Sequence, residues 1–170
     1  NIGKITGEVD KQYVEFLLKT NGASILDYCF LGLKNHSLGV NVYDNMRELW
    51  QSDCLLTFRF WGIVGTSSGE NFGYIDEKDS SGNHYIGYYS ANEPEHVYLV
   101  ASSFNIFIDK FLKQVEASLA IDKNAIYIDN DWFLNPQKLI IDDIEMAQYL
   151  QSQETSEYNL LDRKFDKRKY

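Results

Sequence analysis

The sequence predicts an α+β fold in a single domain: a central antiparallel sheet with helices before and after it. Three observations carry that expectation. A helical stripe comes first, a run of aromatic and branched segments divided by short turns follows, and a longer helical stripe closes the run. At 170 residues the chain suits one domain with a real core. The gaps between the central segments are too short for parallel crossovers, which need about a dozen residues or more.

The opening helix is expected over residues 8–19, where Val9, Tyr13, Phe16 and Leu17 recur at helical spacing. Asn21-Gly22 supplies the left-handed residue that ends it. An irregular stretch with Gly32 and Gly39 follows, and Asp44 is placed to cap a short helix carrying Met46, Leu49 and Trp50. Strands are read at residues 55–64, 72–76, 84–89 and 97–101, rich in aromatic and β-branched side chains and separated by Gly, Ser, Asn and Asp. Ser103 then caps a helix whose Phe104, Phe107, Ile108, Phe111, Leu112 and Val115 share one face. Residues 125–134 read as another extended segment. A last helix starts near Asp142, where Asp142-x-x-Glu145 resembles a capping box and Ile144, Ala147, Leu150 and Gln151 share a side.

The organisation is thus residues 1–123 as the domain and 124–170 as a C-terminal extension packed on it. The extension ends in the basic cluster Arg163, Lys164, Lys167, Arg168 and Lys169, a candidate for disorder. The expected core comprises Phe16, Leu17, Phe58, Phe60, Ile63, Tyr74, Leu99, Phe104, Phe107, Ile108 and Phe111.

Composition narrows the function. Lys+Arg is 16 against Asp+Glu 25, a net charge of −9. That argues against direct binding of nucleic acid, which depends on clustered cations, and favours a basic partner. The two cysteines, Cys29 and Cys54, form no CxxC and no disulfide framework. No stretch approaches the ~18 apolar residues of a membrane span, and the N-terminus carries no targeting pattern. A cytoplasmic location without membrane contact is the expectation.

Motif by motif, chemistry finds little support. Gly65-Thr66-Ser67-Ser68-Gly69 satisfies G-x-S-x-G, but a nucleophile elbow needs a helix next, and the Phe72-Gly73-Tyr74-Ile75-Asp76 that follows alternates as a strand. A Gly/Ser turn joining two strands is the plainer reading; a small serine hydrolase using Ser67 is the alternative. His36, His84 and His96 lack ligand spacing, although His84 and His96 could face each other across a hairpin. Asp129-Asn130-Asp131 has the look of a metal motif, yet it lacks the glycine and glutamate of a calcium loop and reads as an Asx turn. Neither phosphate-binding glycine loop is present. No catalytic residue, metal or cofactor is expected. Charge is more telling: from Gly65 to His96 the acids Glu70, Asp76, Glu77, Asp79, Glu93 and Glu95 stand against Lys78 alone, −6 + 1 = −5. Such a run is a solvated face or an electrostatic surface for a basic protein.

The succession of motifs resembles the SUKH superfamily, which includes a fungal cell-wall-synthesis regulator and many bacterial immunity proteins. Tyr13-Val14-Glu15-Phe16-Leu17-Leu18-Lys19-Thr20-Asn21-Gly22-Ala23 is similar to its Y-x-x-F-L-x-x-x-N-G-G helix end. The strand at 58–64, the turn ending in Gly69, and Phe72-Gly73-Tyr74-Ile75-Asp76 are similar to its central hairpin. Val100-Ala101-Ser102-Ser103-Phe104 leading to Phe107-Ile108 and Phe111-Leu112 resembles its closing A-x-S-F-x-x-F-L helix. The likeness covers about residues 5–118; Val9-Asp10 stands where the family's Leu-Pro opens the first motif, and the segment after Lys123 has no counterpart. The resemblance implies a binding module, not an enzyme: an immunity protein that neutralises a cognate toxin, often a nuclease, or else a regulatory scaffold. A monomer or weak dimer is expected. The partner-binding residues expected from clustering are Glu70, Asp76, Glu77, Asp79, Glu93 and Glu95 for the field, and Tyr85, Tyr88 and Tyr89 for contact area.

Overall fold

The computed structural model describes residues 10–35, 38–57 and 59–152, and of Glu77 only the backbone. Its first helix, α1 (Lys11–Thr20), is capped by Asp10, whose carboxylate accepts from the Gln12 and Tyr13 amides. Asn21 ends it at φ 47°, the left-handed residue expected there. Val9 and Phe58 lie outside the described residues.

Two short strands follow, β1 (Ala23–Ile25) and β2 (Tyr28–Phe30), in the stretch expected to be irregular. Helix α2 (Val42–Ser52) starts earlier than expected: Asn41 caps it, and Asp44 instead sits in its first turn. The expected strand at 55–64 is shorter too. Cys54–Leu56 is a turn of 3-10 helix, and β3 (Phe60–Gly65) begins beyond it. Then come β4 (Glu70–Lys78), β5 (His84–Ser90) and β6 (Val97–Ala101). All six strands pair antiparallel with their sequence neighbours, in the order β1-β2-β3-β4-β5-β6.

Helix α3 (Phe104–Ile121) starts at the expected cap, Ser103 accepting from the Ile106 amide. Its Phe107 and Phe111 bury against Phe72 of β4 and Phe30 of β2. Helix α1 joins the same face, with Tyr13 edge-on to Phe104 at 5.4 Å. Alternate residues of a strand point to opposite faces: Phe72 meets α3, while Asn71 meets α2 through Asn45. The core is therefore two-sided. Phe60, Ile63, Tyr74, Leu99, Phe104, Phe107 and Phe111 are buried as expected, and Phe16, Leu17 and Ile108 pack half-buried at its margin.

Residues 125–134 are no strand. Asp131–Leu134 forms a helical turn, α4, followed by α5 (Pro136–Leu139). Trp132 and Phe133 of α4 bury against Phe72, and Phe133 lies 4.8 Å from Tyr88. The last helix, α6 (Ile144–Gln151), is capped by Asp143, one residue past the expected box, because Asp142 is left-handed at φ 57°. Its inward face also differs: Ile144 is 74% exposed and Met146 is buried. Asp143 is fully buried, accepting from Ser102 N and Oγ, and its Oδ2 lies 3.6 Å from Lys110 Nζ. Burial pushes the Lys110 amine below its ordinary range, and the Asp143 carboxylate offsets part of that shift.

Candidate functional site

A six-stranded meander places alternate turns at opposite ends of the sheet. The β1–β2, β3–β4 and β5–β6 turns share one end, and the β4–β5 turn, residues 79–83, lies at the other. This divides the acidic run expected to act as one field. Glu70, Glu93 and Glu95 lie at the first end; Asp76, Glu77 and Asp79 lie at the second. Along β4, Glu70 and Asp76 are roughly 20 Å apart at ~3.3 Å per residue.

Several of these acids also have structural work. Asp79 accepts from the Ser81 and Asn83 amides and from Asn83 Nδ2, which closes the hairpin turn. Glu70 accepts from the Tyr88 hydroxyl at 2.6 Å, and Glu93 accepts from Tyr98 at 3.1 Å. Asp76 and Glu95 are exposed, and the Glu77 side chain lies outside the described residues.

The tyrosines need correction as contact surface. Tyr85, Tyr88 and Tyr89 are at most 6% exposed. Tyr85 packs edge-on against Tyr149 of α6, Tyr88 against Phe72 and Phe133, and Tyr89 against Phe60. Burial foremost, then the Glu70 carboxylate, pushes the Tyr88 phenol well above its ordinary value. Turn-rich neighbouring sequence made these residues look like a surface, but every residue of β5 is buried because both faces of the sheet are covered.

Ser67 lies in a tight turn ended by Gly69 at φ 84°. Its Oγ donates to Asp27 Oδ2 at 2.7 Å, and its amide reaches the same oxygen at 3.1 Å. A serine nucleophile gives its proton to a base such as histidine; here the bond ties the β1–β2 and β3–β4 turns together. His84 and His96 do not face each other, since they sit at opposite ends of β5. His84 is buried with Nδ1 2.7 Å from the Ile75 carbonyl. Asp129 accepts from the Asp131 amide as an Asx turn, and Asp131 pairs with Lys138. Among the described residues no group of three or more His, Cys, Asp or Glu could hold a metal ion, and no helix is long and apolar enough to cross a membrane.

Two cavities lie beside these elements. One, about 290 Å³, is bordered by Trp132, Lys110, Lys113 and Lys138. These lysines lie against Asp143, Asp142 and Asp131 respectively. The other, about 450 Å³, opens between α2 and the β3–β4 turn, at the end that carries Glu70, Glu93 and Glu95. Asn45 and Asn71 form its polar floor: Asn45 Nδ2 donates to Asn71 Oδ1 at 3.0 Å and to the Gly62 carbonyl at 3.3 Å. Gly62 makes the pairing possible, because a Cβ there would lie 2.7 Å from Asn45 Nδ2 and 2.9 Å from Asn71 Oδ1. Sequence reasoning missed this cleft. The available signal was Asn71, a polar residue at a position where strand alternation turns toward the interior.

No curated protein and no solved structure matches the chain significantly. A family model does: the SMI1 / KNR4 family (SUKH-1) matches residues 7–110, which run from the approach to α1 through the whole sheet into α3. That is more than half of the chain, and it spans the helix end and central hairpin whose motifs resembled the superfamily and enters the closing helix as far as residue 110. The chain therefore belongs to the SMI1 / KNR4 family (SUKH-1).

Proposed function

We propose that this protein is a bacterial immunity protein that binds and neutralises a cognate toxin, a basic nuclease of a polymorphic or contact-dependent toxin system. Family membership over residues 7–110 carries the reading. Two further features support it. The net charge of −9 complements a basic enzyme and would speed their encounter. The serine of the hydrolase-like motif donates to Asp27 in a bond that ties two turns together, and the reading gives it no catalytic role. In this reading the protein acts in the cytoplasm as a monomer or weak dimer, without cofactor, membrane or direct nucleic-acid contact.

The acids are assigned to the encounter and not to one docking patch. Glu93 and Glu95 at one end, and Asp76, Glu77 and Asp79 at the other, supply a field, while Glu70 is held by Tyr88. The experiment is co-expression with the toxin gene next to this one, followed by mixing of the purified pair. Cell survival, a stable complex and loss of nuclease activity are expected. A neighbouring toxin that kills equally with and without this protein, and forms no complex with it, refutes the reading.

A further inference from the structure

We propose that the cleft between α2 and the β3–β4 turn receives an arginine side chain of the partner, an inference that rests on the toxin-binding reading above. Among the described residues its lining holds no lysine or arginine, and Glu48 brings a carboxylate to it. An amide nitrogen has two hydrogens to give. Asn45 spends them on Asn71 and Gly62, so the group it offers a ligand is its oxygen.

That oxygen has a place to be met. A Cβ at Gly65 would stand 3.5 Å from Asn71 Oδ1, 3.9 Å from Asn45 Oδ1 and 3.3 Å from Leu38 Cδ1. Glycine at 65 thus keeps a side chain out of the space between Leu38 and both oxygens. A carboxylate and two amide oxygens spread along one cleft suit a planar fork of donors better than a compact ammonium. Leu38, Leu49 and Tyr89 line the same cleft and would cover the methylene stem of the side chain. Asn71 is 5% exposed and its oxygen is held by Asn45, so the two amides are fixed in place before a ligand arrives.

The probe is the blocked peptide Gly-Arg-Gly, with its lysine and citrulline counterparts as controls. It is titrated into nitrogen-15-labelled protein while the side-chain amide signals of Asn45 and Asn71 are followed. Saturable shifts of both signals with the arginine peptide are expected, with binding about tenfold weaker for citrulline, which keeps the shape and loses the charge. Glu48→Lys, a change at an exposed position of α2, should abolish them. Equal response to all three peptides, shifts at Glu93 or Asp76 in place of the cleft, or unchanged binding in Glu48→Lys overturns the proposal. With the toxin, Glu48→Lys should weaken the complex about tenfold or more. A complex that forms equally well with Glu48→Lys sinks the cleft and leaves the toxin reading standing. Absence of any wild-type complex sinks the toxin reading, while the peptide titration still decides the cleft.

Discussion

Replacing Asp143 with asparagine tests how the C-terminal segment is held. Asp143 and Lys110 are both buried, with Asp143 Oδ2 3.6 Å from Lys110 Nζ. At that separation and an effective dielectric near 20, their attraction is about 5 kcal/mol, much of it offset by the cost of removing both charges from water. Lys110 has one further partner, the Leu139 carbonyl at 2.6 Å, which satisfies a proton without neutralising the charge. Asp143→Asn removes the buried charge beside that ammonium and leaves the exposed Asp142, itself paired with Lys113, so a loss of about 3–5 kcal/mol is expected. Lys110→Met in the same background should recover most of it, since a neutral replacement of both partners is tolerated far better than removal of one. Urea unfolding of the four proteins of the cycle, at unchanged slope, gives the coupling directly. A coupling under about 0.5 kcal/mol would refute the reasoning and reduce the pair to an incidental contact.

Other outcomes follow from the core and the charge layout. Phe107→Ala, at a fully buried position, should cost about 3–5 kcal/mol in the same unfolding assay; a loss below ~1 kcal/mol would put the α3 face in the wrong place. Gly73→Ala would set a Cβ 2.2 Å from the Trp61 carbonyl oxygen in the next strand, so a lower melting temperature and disrupted β3–β4 pairing are expected. Burial raises the Tyr13, Tyr28, Tyr74, Tyr85 and Tyr88 phenols, Tyr28 to about 12. The unfolded chain loses these protons near pH 10 while the folded chain keeps them, so stability should be intact below about pH 10 and fall above it. Lys110, with its lowered amine, acts in the opposite sense below its ordinary 10.5, but it is one group against these five and Tyr89, whose phenol burial also raises. The share of the phenolate absorbance that belongs to these buried tyrosines should rise together with loss of circular dichroism, not before it. If charge steers the toxin, neutralising Glu93 and Glu95, or Asp76, Glu77 and Asp79, should slow association and flatten its salt dependence without changing dissociation. The slower of the two variants identifies the approaching end; no effect from either means that both sets are merely solvated.

Much of the architecture was legible because long elements repeat their signal. The stripe from Phe104 to Val115 and the strand at Val97–Ala101 leave little choice of period. Short elements do not average out local noise. Tyr28-Cys29-Phe30 is buried at every position, so β2 has no alternation to read, and three residues cannot tell a strand from a loop. Cys54–Leu56 shows the converse, since an apolar 3-10 turn directly before a strand reads as part of it. At 126–128 the chain reads Ile-Tyr-Ile and looks like a strand, yet Ile126 and Ile128, which would share a face in one, are 58% exposed and buried respectively, and the backbone bond from Asp27 to Ile126 is no ladder. The candidate site was harder still. Asn45 and Asn71 lie 26 residues apart, and only pairing of β3 with β4 beneath α2 brings them together. Their types are ordinary; it is the burial of Asn71 and its pairing with Asn45 that make them unusual. The acidic run misled for a related reason, because nearness along a meander is not nearness in space.

The strand order has a consequence for how the chain is made. Each strand pairs with its immediate predecessor, so hydrogen-bond ladders can close in the order in which a ribosome delivers them, across short loops of low entropic cost everywhere but between β2 and β3, whose connection carries α2. The bonds from Asp27 N to Ile126 O and from Ile128 N to the Tyr28 hydroxyl cannot. They span the sheet and all of α3, as do the contacts of Trp132 and Phe133 with Phe72. Until those residues emerge, Phe72 and Tyr88 lack part of their cover. A nascent chain halted near Ile121 would carry a finished sheet with an unfinished aromatic wall, the stage at which a chaperone or an unwanted neighbour has most to hold.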